Sequence, residues 1–99
     1  MLSPPLTKAE RAEFLPELQS AGWVLQSDRD ALTKTFEFKN FVDAFGWMSQ
    51  IAIWSEKMNH HPEWFNVYRT VDVLLTSHDV DGLSMRDVKM ARKMDQLAE

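Results

Sequence analysis

Apolar positions along the chain switch between a spacing of three or four residues and a spacing of two. The first spacing places side chains on one face of a helix, the second on one face of a strand. Thr7-Lys8-Ala9-Glu10 reads as a capping box, in which the Thr7 hydroxyl and the Glu10 carboxylate satisfy free amides at a helix start. Phe14, Leu15 and Leu18 supply the apolar side of that helix and Gly22 its end, while Pro16 is expected to interrupt or bend it. From Trp23 to Phe38 the pattern becomes that of a β-hairpin: Trp23-Val24-Leu25 is strand-like, Asp28-Arg29-Asp30 is turn-like, and Thr33 and Thr35 alternate with Phe36 and Phe38.

Asn40 can cap the next helix, expected from Phe41 to about Met58. On a helical period Phe41, Phe45, Met48 and Ala52 share one face, and Trp47, Ile51, Trp54 and Met58 form a second beside it. One helix on one sheet needs an apolar stripe only a little wider than about 100°. The surplus, assigned to Trp47, Ile51, Trp54 and Met58, is expected to be covered by another subunit, giving a dimer or a tetramer through helix 41–58; cover by the first and last helices is the alternative. Trp64 to Tyr68 and Val71 to Ser77 then form a second hairpin with Arg69-Thr70 as its turn. Gly82 provides a turn, and Ser84-Met85-Arg86-Asp87 is a second capping box opening a last helix through Val88, Ala91, Met94 and Ala98. The order helix, hairpin, helix, hairpin, helix predicts an α+β fold, with an antiparallel four-stranded sheet and helices packed on one face.

Ninety-nine residues with 44% hydrophobic side chains suit one domain over residues 1–99. The absence of cysteine rules out a disulfide framework, a thiolate zinc site and a cysteine nucleophile, and makes the cytosol the default location. A net charge of −4 argues against binding nucleic acid through its phosphates. Met1-Leu2-Ser3-Pro4-Pro5 has no basic segment leading into an apolar run, and no stretch has the length of a membrane span, so neither export nor membrane insertion is expected. The three glycines are too scattered for a dinucleotide or phosphate loop.

The chemistry concentrates at Asn59-His60-His61-Pro62, where two of the three histidines are adjacent. Imidazole is the side chain that titrates near neutrality, and Pro62 turns His61 away from helical backbone into a loop. The two rings have no obvious packing role, although they also suit a helix C-terminus facing the dipole. His78 alone carries little weight. A zinc site of three imidazoles is the chemical runner-up, but adjacent histidines in extended chain diverge and no H-x-H or H-x-x-x-H spacing occurs, so no metal is expected. Asp87 is accounted for by its capping box and Glu56 by solvation or pairing along the helix. Trp64 is equally suited to the core and to an aromatic wall for a flat heterocycle.

The run E-K-x-x-H-H-P-E-W-F-N-V-Y from Glu56 to Tyr68, followed by Thr76-Ser77-His78 and by Gly82-Leu83-Ser84 with Asp87, resembles the pterin-4a-carbinolamine dehydratases, also called 4a-hydroxytetrahydrobiopterin dehydratases. Gly22-Trp23 and Phe41 through Met48 extend the resemblance over nearly the whole chain, with Asn59 standing where some members carry aspartate. The resemblance implies the same α+β architecture, a tetramer, and a cofactor-free dehydratase converting 4a-hydroxytetrahydropterin to quinonoid dihydropterin, which recycles the pterin used by aromatic amino acid hydroxylases. It implies His60 and His61 as the acid/base pair and His78 as a third group. Glu56, Pro62, Trp64 and Asp87 become orienting or substrate-binding residues. Animal members also serve as dimerisation cofactors of a homeodomain transcription factor, so a protein-binding role through helix 41–58, with a nuclear location, is the alternative function.

Overall fold

The computed structural model describes residues 3–99, and the reading of the segment from Met1 to Pro5 therefore lies partly outside them. Helix α1 (Lys8–Ser20) is followed by β1 (Val24–Leu25) and β2 (Leu32–Glu37), then by α2 (Phe41–Met58). Strands β3 (Glu63–Val67) and β4 (Thr70–Leu75), a short 3₁₀ turn (His78–Val80) and α3 (Met85–Ala98) complete the chain. The sheet is antiparallel throughout, in the order β1-β2-β4-β3. The two hairpins thus join at the middle, where Leu32 to Glu37 pair with Leu75 to Thr70.

Both capping boxes form, at Thr7 with Glu10 and at Ser84 with Asp87. Helix α1 does not stop at Pro16 but runs on to Ser20, because Leu15 and Leu18 on either side of the proline are both buried in the core. It ends as Gly22 predicts. That residue takes the left-handed φ of 106°, while Gly22 N donates to Gln19 O and Trp23 N to Leu18 O, closing a Schellman turn. The second hairpin turns one residue earlier than expected, at Tyr68 and Arg69, with Thr70 already in β4.

One face of the sheet is covered. Leu32, Phe36, Val71, Val73 and Leu75 point there and are buried with Leu83, Val88, Met90, Ala91 and Met94. The other face carries Thr33, Thr35, Asp72 and Leu74 beside the exposed Val24 and Phe65, with a groove of about 470 Å³ along it.

Helix α2 corrects the sequence expectation about its two faces. Ala44, Trp47, Ile51 and Ser55 form the buried stripe, with Trp47 only 3% and Ile51 0% exposed. Trp54 and Met58 are half-buried. Trp47 turns inward because its ring packs on Phe36 at 4.6 Å and its indole N–H finds a buried acceptor, Met94 O, at 3.1 Å. The uncovered apolar side chains are instead Phe41, Val42, Phe45 and Ile53, which are 45% to 76% exposed.

Candidate active site

The last turn of α2 sets the directions of the two adjacent histidines. Asn59 adopts the left-handed conformation with φ 51°, which asparagine tolerates better than most residues. Asn59 N donates to Glu56 O and His60 N to Ser55 O, the hydrogen-bond pattern of a Schellman turn. The chain reverses there, and His60 enters the interior at 5% exposure while His61 stays outside.

His60 meets the start of α3. Its Nε2 lies 2.6 Å from Asp87 Oδ1, and Asp87 is 0% exposed. The other carboxylate oxygen, Oδ2, accepts from Ser84 N at 3.0 Å and from the Ser77 hydroxyl at 2.7 Å. A carboxylate taking two further hydrogen bonds acts as the acceptor, so Nε2 of His60 carries the proton in this pair. Asp87 therefore caps α3 with one oxygen and holds the imidazole with the other. Among the described residues Nε of Arg86 is the sole fully enclosed side-chain polar atom without a partner. Among the described residues His60 Nδ1 has no hydrogen-bond partner and is not fully enclosed.

The other two imidazoles repeat the pairing in the open. His61 Nε2 lies 2.5 Å from Glu56 Oε2, one turn back on α2, and both side chains are more than half exposed. His78 Nε2 lies 2.7 Å from Glu63 Oε2, at the first residue of β3. Glu63 is also gripped by both Nη atoms of Arg29, at 2.9 and 3.2 Å. Hydrogen bonds from Arg29 first and His78 second hold the Glu63 carboxyl at about 2, against an ordinary 4.5. The turn bearing His78 is fixed by Arg86, which donates to both carboxylate oxygens of Asp79 and holds that carboxyl below its usual range.

These groups lie at one end of the sheet, where β3 begins, β4 ends, α2 stops and α3 starts. Two residues of chain span at most about 7 Å, so the His61 backbone stays close to Glu63 and hence to His78. With every Nε2 tied to a carboxylate, Nδ1 of each ring is left to accept a proton when neutral or give one when charged. A polar cavity of about 200 Å³ beside His78 is lined by Asp28, Arg29, Asp30, Thr76 and Asp81. Glu63 also borders the sheet groove. Trp64 lies on the helix-covered face, half-buried, with its ring 6.2 Å from Trp47. Pro62 is half-buried between His61 and β3. Among the described residues no cluster of His, Asp and Glu has the geometry of a metal site. Sequence reasoning passed over Glu63, Arg29 and Ser77; the first pair is separated by 34 residues and has no local signature.

Comparison with known proteins identifies the family of the chain. Residues 4–97 match the family model described as pterin 4 alpha carbinolamine dehydratase. A Roseobacter denitrificans protein provisionally named pterin-4-alpha-carbinolamine dehydratase is 60% identical, covering 94% of this chain and 95% of its own. One from Ruegeria pomeroyi with the same provisional name is 56% identical over 97% of this chain and 99% of its own. The crystal structure of a transcriptional coactivator/pterin dehydratase from Brucella melitensis superposes with a TM-score of 0.88 at 47% identity, covering 96% of this chain and 99% of that one. A pterin dehydratase-like protein identified as a RuBisCO assembly factor in the alpha-carboxysome shares the fold, with a TM-score of 0.67 at 22% identity over 77% of this chain and 88% of its own.

Proposed function

The chain belongs to the pterin 4 alpha carbinolamine dehydratase family, and from that premise we propose that it removes water from 4a-hydroxytetrahydrobiopterin to give quinonoid dihydropterin. The observation that carries this reading is the gathering of three imidazoles, each with Nε2 on a carboxylate, at one end of the sheet. The reaction needs two proton movements. The C4a–O bond breaks as the hydroxyl takes a proton and leaves as water; the N5 lone pair forms the C4a=N5 double bond, and N5 gives its proton to a base. One imidazolium and one neutral imidazole supply both, and the elimination is redox-neutral. His60 and His61 form the acid/base pair, and His78 binds the hydroxyl region or assists proton transfer. Glu56 and Asp87 orient the rings, and Pro62 and Trp64 border the pterin. The role is regeneration of the pterin for aromatic amino acid hydroxylases. Purified protein is expected to accelerate dehydration of a 4a-hydroxytetrahydropterin and to keep doing so after exhaustive chelation. An unchanged spontaneous rate sinks the reading, and loss on chelation with rescue by zinc replaces it by the three-imidazole metal site.

A second reading, a protein-binding role like the coactivator function named for the Brucella melitensis relative, is favoured by the exposed Phe41, Val42, Phe45 and Ile53 on α2. The same face suits a homodimer or homotetramer through helix 41–58. A charge buried there without a partner is costly enough that separation is preferred. Phe45→Glu is therefore expected to lower the mass seen by light scattering while dehydration continues; a wild-type monomer at micromolar concentration removes the self-association.

A further inference from the structure

The turn Asp28-Arg29-Asp30 between β1 and β2 stands far in sequence from the histidines, yet it is fastened to their end of the sheet at several points. Asp30 receives both Nη atoms of Arg11 at 2.9 and 3.1 Å, and its Oδ2 accepts from Leu83 N at 3.0 Å. Its carbonyl accepts from the Thr76 hydroxyl at 2.9 Å, two residues before His78. Gly82 leaves room for this, since a Cβ there would stand 2.5 Å from Asp30 Oδ2. The backbone that carries Arg29 is thus held in place, and Arg29 reaches from it to grip Glu63 with both Nη atoms. Glu63 Oε2 takes Arg29 Nη2 and His78 Nε2 together.

We infer that Arg29 and Glu63 are positioning residues for His78: the guanidinium fixes the carboxylate, and the carboxylate fixes the ring and keeps the proton of the neutral form on Nε2. This rests on the dehydratase reading and deepens it, by naming Nδ1 as the working nitrogen of His78. A carboxylate locked by a guanidinium can only accept, so the His78 nitrogen it touches has to donate. The remaining charges around Arg29 are Asp28 and Asp81, which favour its cationic form. A purely structural role fits the exposure poorly. Side-chain exposures of 44% for Arg29, 42% for Glu63 and 70% for His78 belong to ion pairs that add little to stability. The same openness leaves a histidine ring free to turn and to switch tautomer unless something holds it.

Nitrogen-15 NMR of the imidazoles at about pH 8.5, well above the ordinary histidine pKa of about 6.5, reads the tautomer directly, with His78→Ala identifying the signals. Wild type is expected to show His78 protonated at Nε2. Glu63→Ala is expected to relax the ring to the mixture of a free imidazole, with a measurable Nδ1-protonated fraction, and Glu63→Gln to keep the Nε2 form, because the amide oxygen still accepts. In the dehydration assay Glu63→Ala is expected to lower kcat about tenfold with KM changed less than about twofold, and Arg29→Ala about threefold, fractions of a typical acid/base contribution. In a His78→Ala background Glu63→Ala is expected to cost less than about twofold, as for a residue that acts through its neighbour. An Nδ1-protonated His78 in wild type, a tautomer indifferent to Glu63→Ala, or equal losses in both backgrounds overturns the assignment. If wild type has no dehydratase activity the catalytic reading fails by itself, and the tautomer measurement still decides what Glu63 does to His78.

Discussion

The pairs His60–Asp87 and His78–Glu63 are made of the same two groups at nearly the same distance, 2.6 and 2.7 Å, but in opposite surroundings. The first is enclosed, at 5% and 0% side-chain exposure; the second is open, at 70% and 42%. Removing one partner from a buried pair strands the other in a poorly polarisable interior, whereas water re-solvates an exposed one. The first pair therefore clamps the end of α2 to the start of α3, and its removal is a folding event. The second can be altered with the fold intact, so its effects can be read as chemistry. His61–Glu56 belongs with the open pair.

The sharpest separation of the two kinds is expected at His61. His61→Ala should lower the dehydration rate about 10²–10⁴-fold, while the urea midpoint reports a stability change under about 0.5 kcal/mol, as for other exposed positions. Comparable changes in both would merge the two classes. Asp87→Ala leaves His60, the Ser77 hydroxyl and the Ser84 amide without their shared acceptor. It should cost about 3–5 kcal/mol in chemical denaturation, and a cost below about 1 kcal/mol, the worth of an ordinary exposed pair, would erase the contrast. The smallest effect is on acid stability. Because folding depresses the Glu63 carboxyl from 4.5 to about 2, its stabilisation is present above 4.5 and drains away as pH falls from there towards 2. Asp30, held low first by its hydrogen bond to Arg11, acts in the same direction. Glu63→Gln should flatten part of that decline in an acid titration followed by circular dichroism; an unchanged profile would show that the open pair is not formed in solution.

What could be read from sequence was what is encoded locally. The capping boxes at Thr7 and Ser84, the two hairpins, and the loop that begins at His60 all depend on residues within a few positions of one another. Helix α2 shows where this ends: periodicity gives an apolar arc but not the direction it faces. Trp47 and Ile51 went inside because β2 offered Phe36 to stack on and α3 offered the Met94 carbonyl. Pro16 was read from its missing amide, while the burial of Leu15 and Leu18 that carries the helix across it is tertiary. Asp87 was explained as a cap from its spacing to Ser84, and its second bond, 27 residues back to His60, was supplied by the family resemblance alone. Neither source gave a role to Arg29, or to Glu63 although it stands within the run that carries the resemblance.

The central pairing of β2 with β4 also bears on how the molecule comes into being. Each hairpin closes over a short loop, but the seam between them joins Leu32 to Leu75 across the whole of α2. Short loops close early, and a seam of such sequence separation has to wait for the chain's ends to meet. The grip of Arg29 on Glu63 crosses this seam and exists only after the last large step of folding, whereas His78 meets Glu63 within the second hairpin. Substitutions there should therefore hasten unfolding more than they retard folding, and a nascent chain should hold its hairpins before it holds a proton-transfer site.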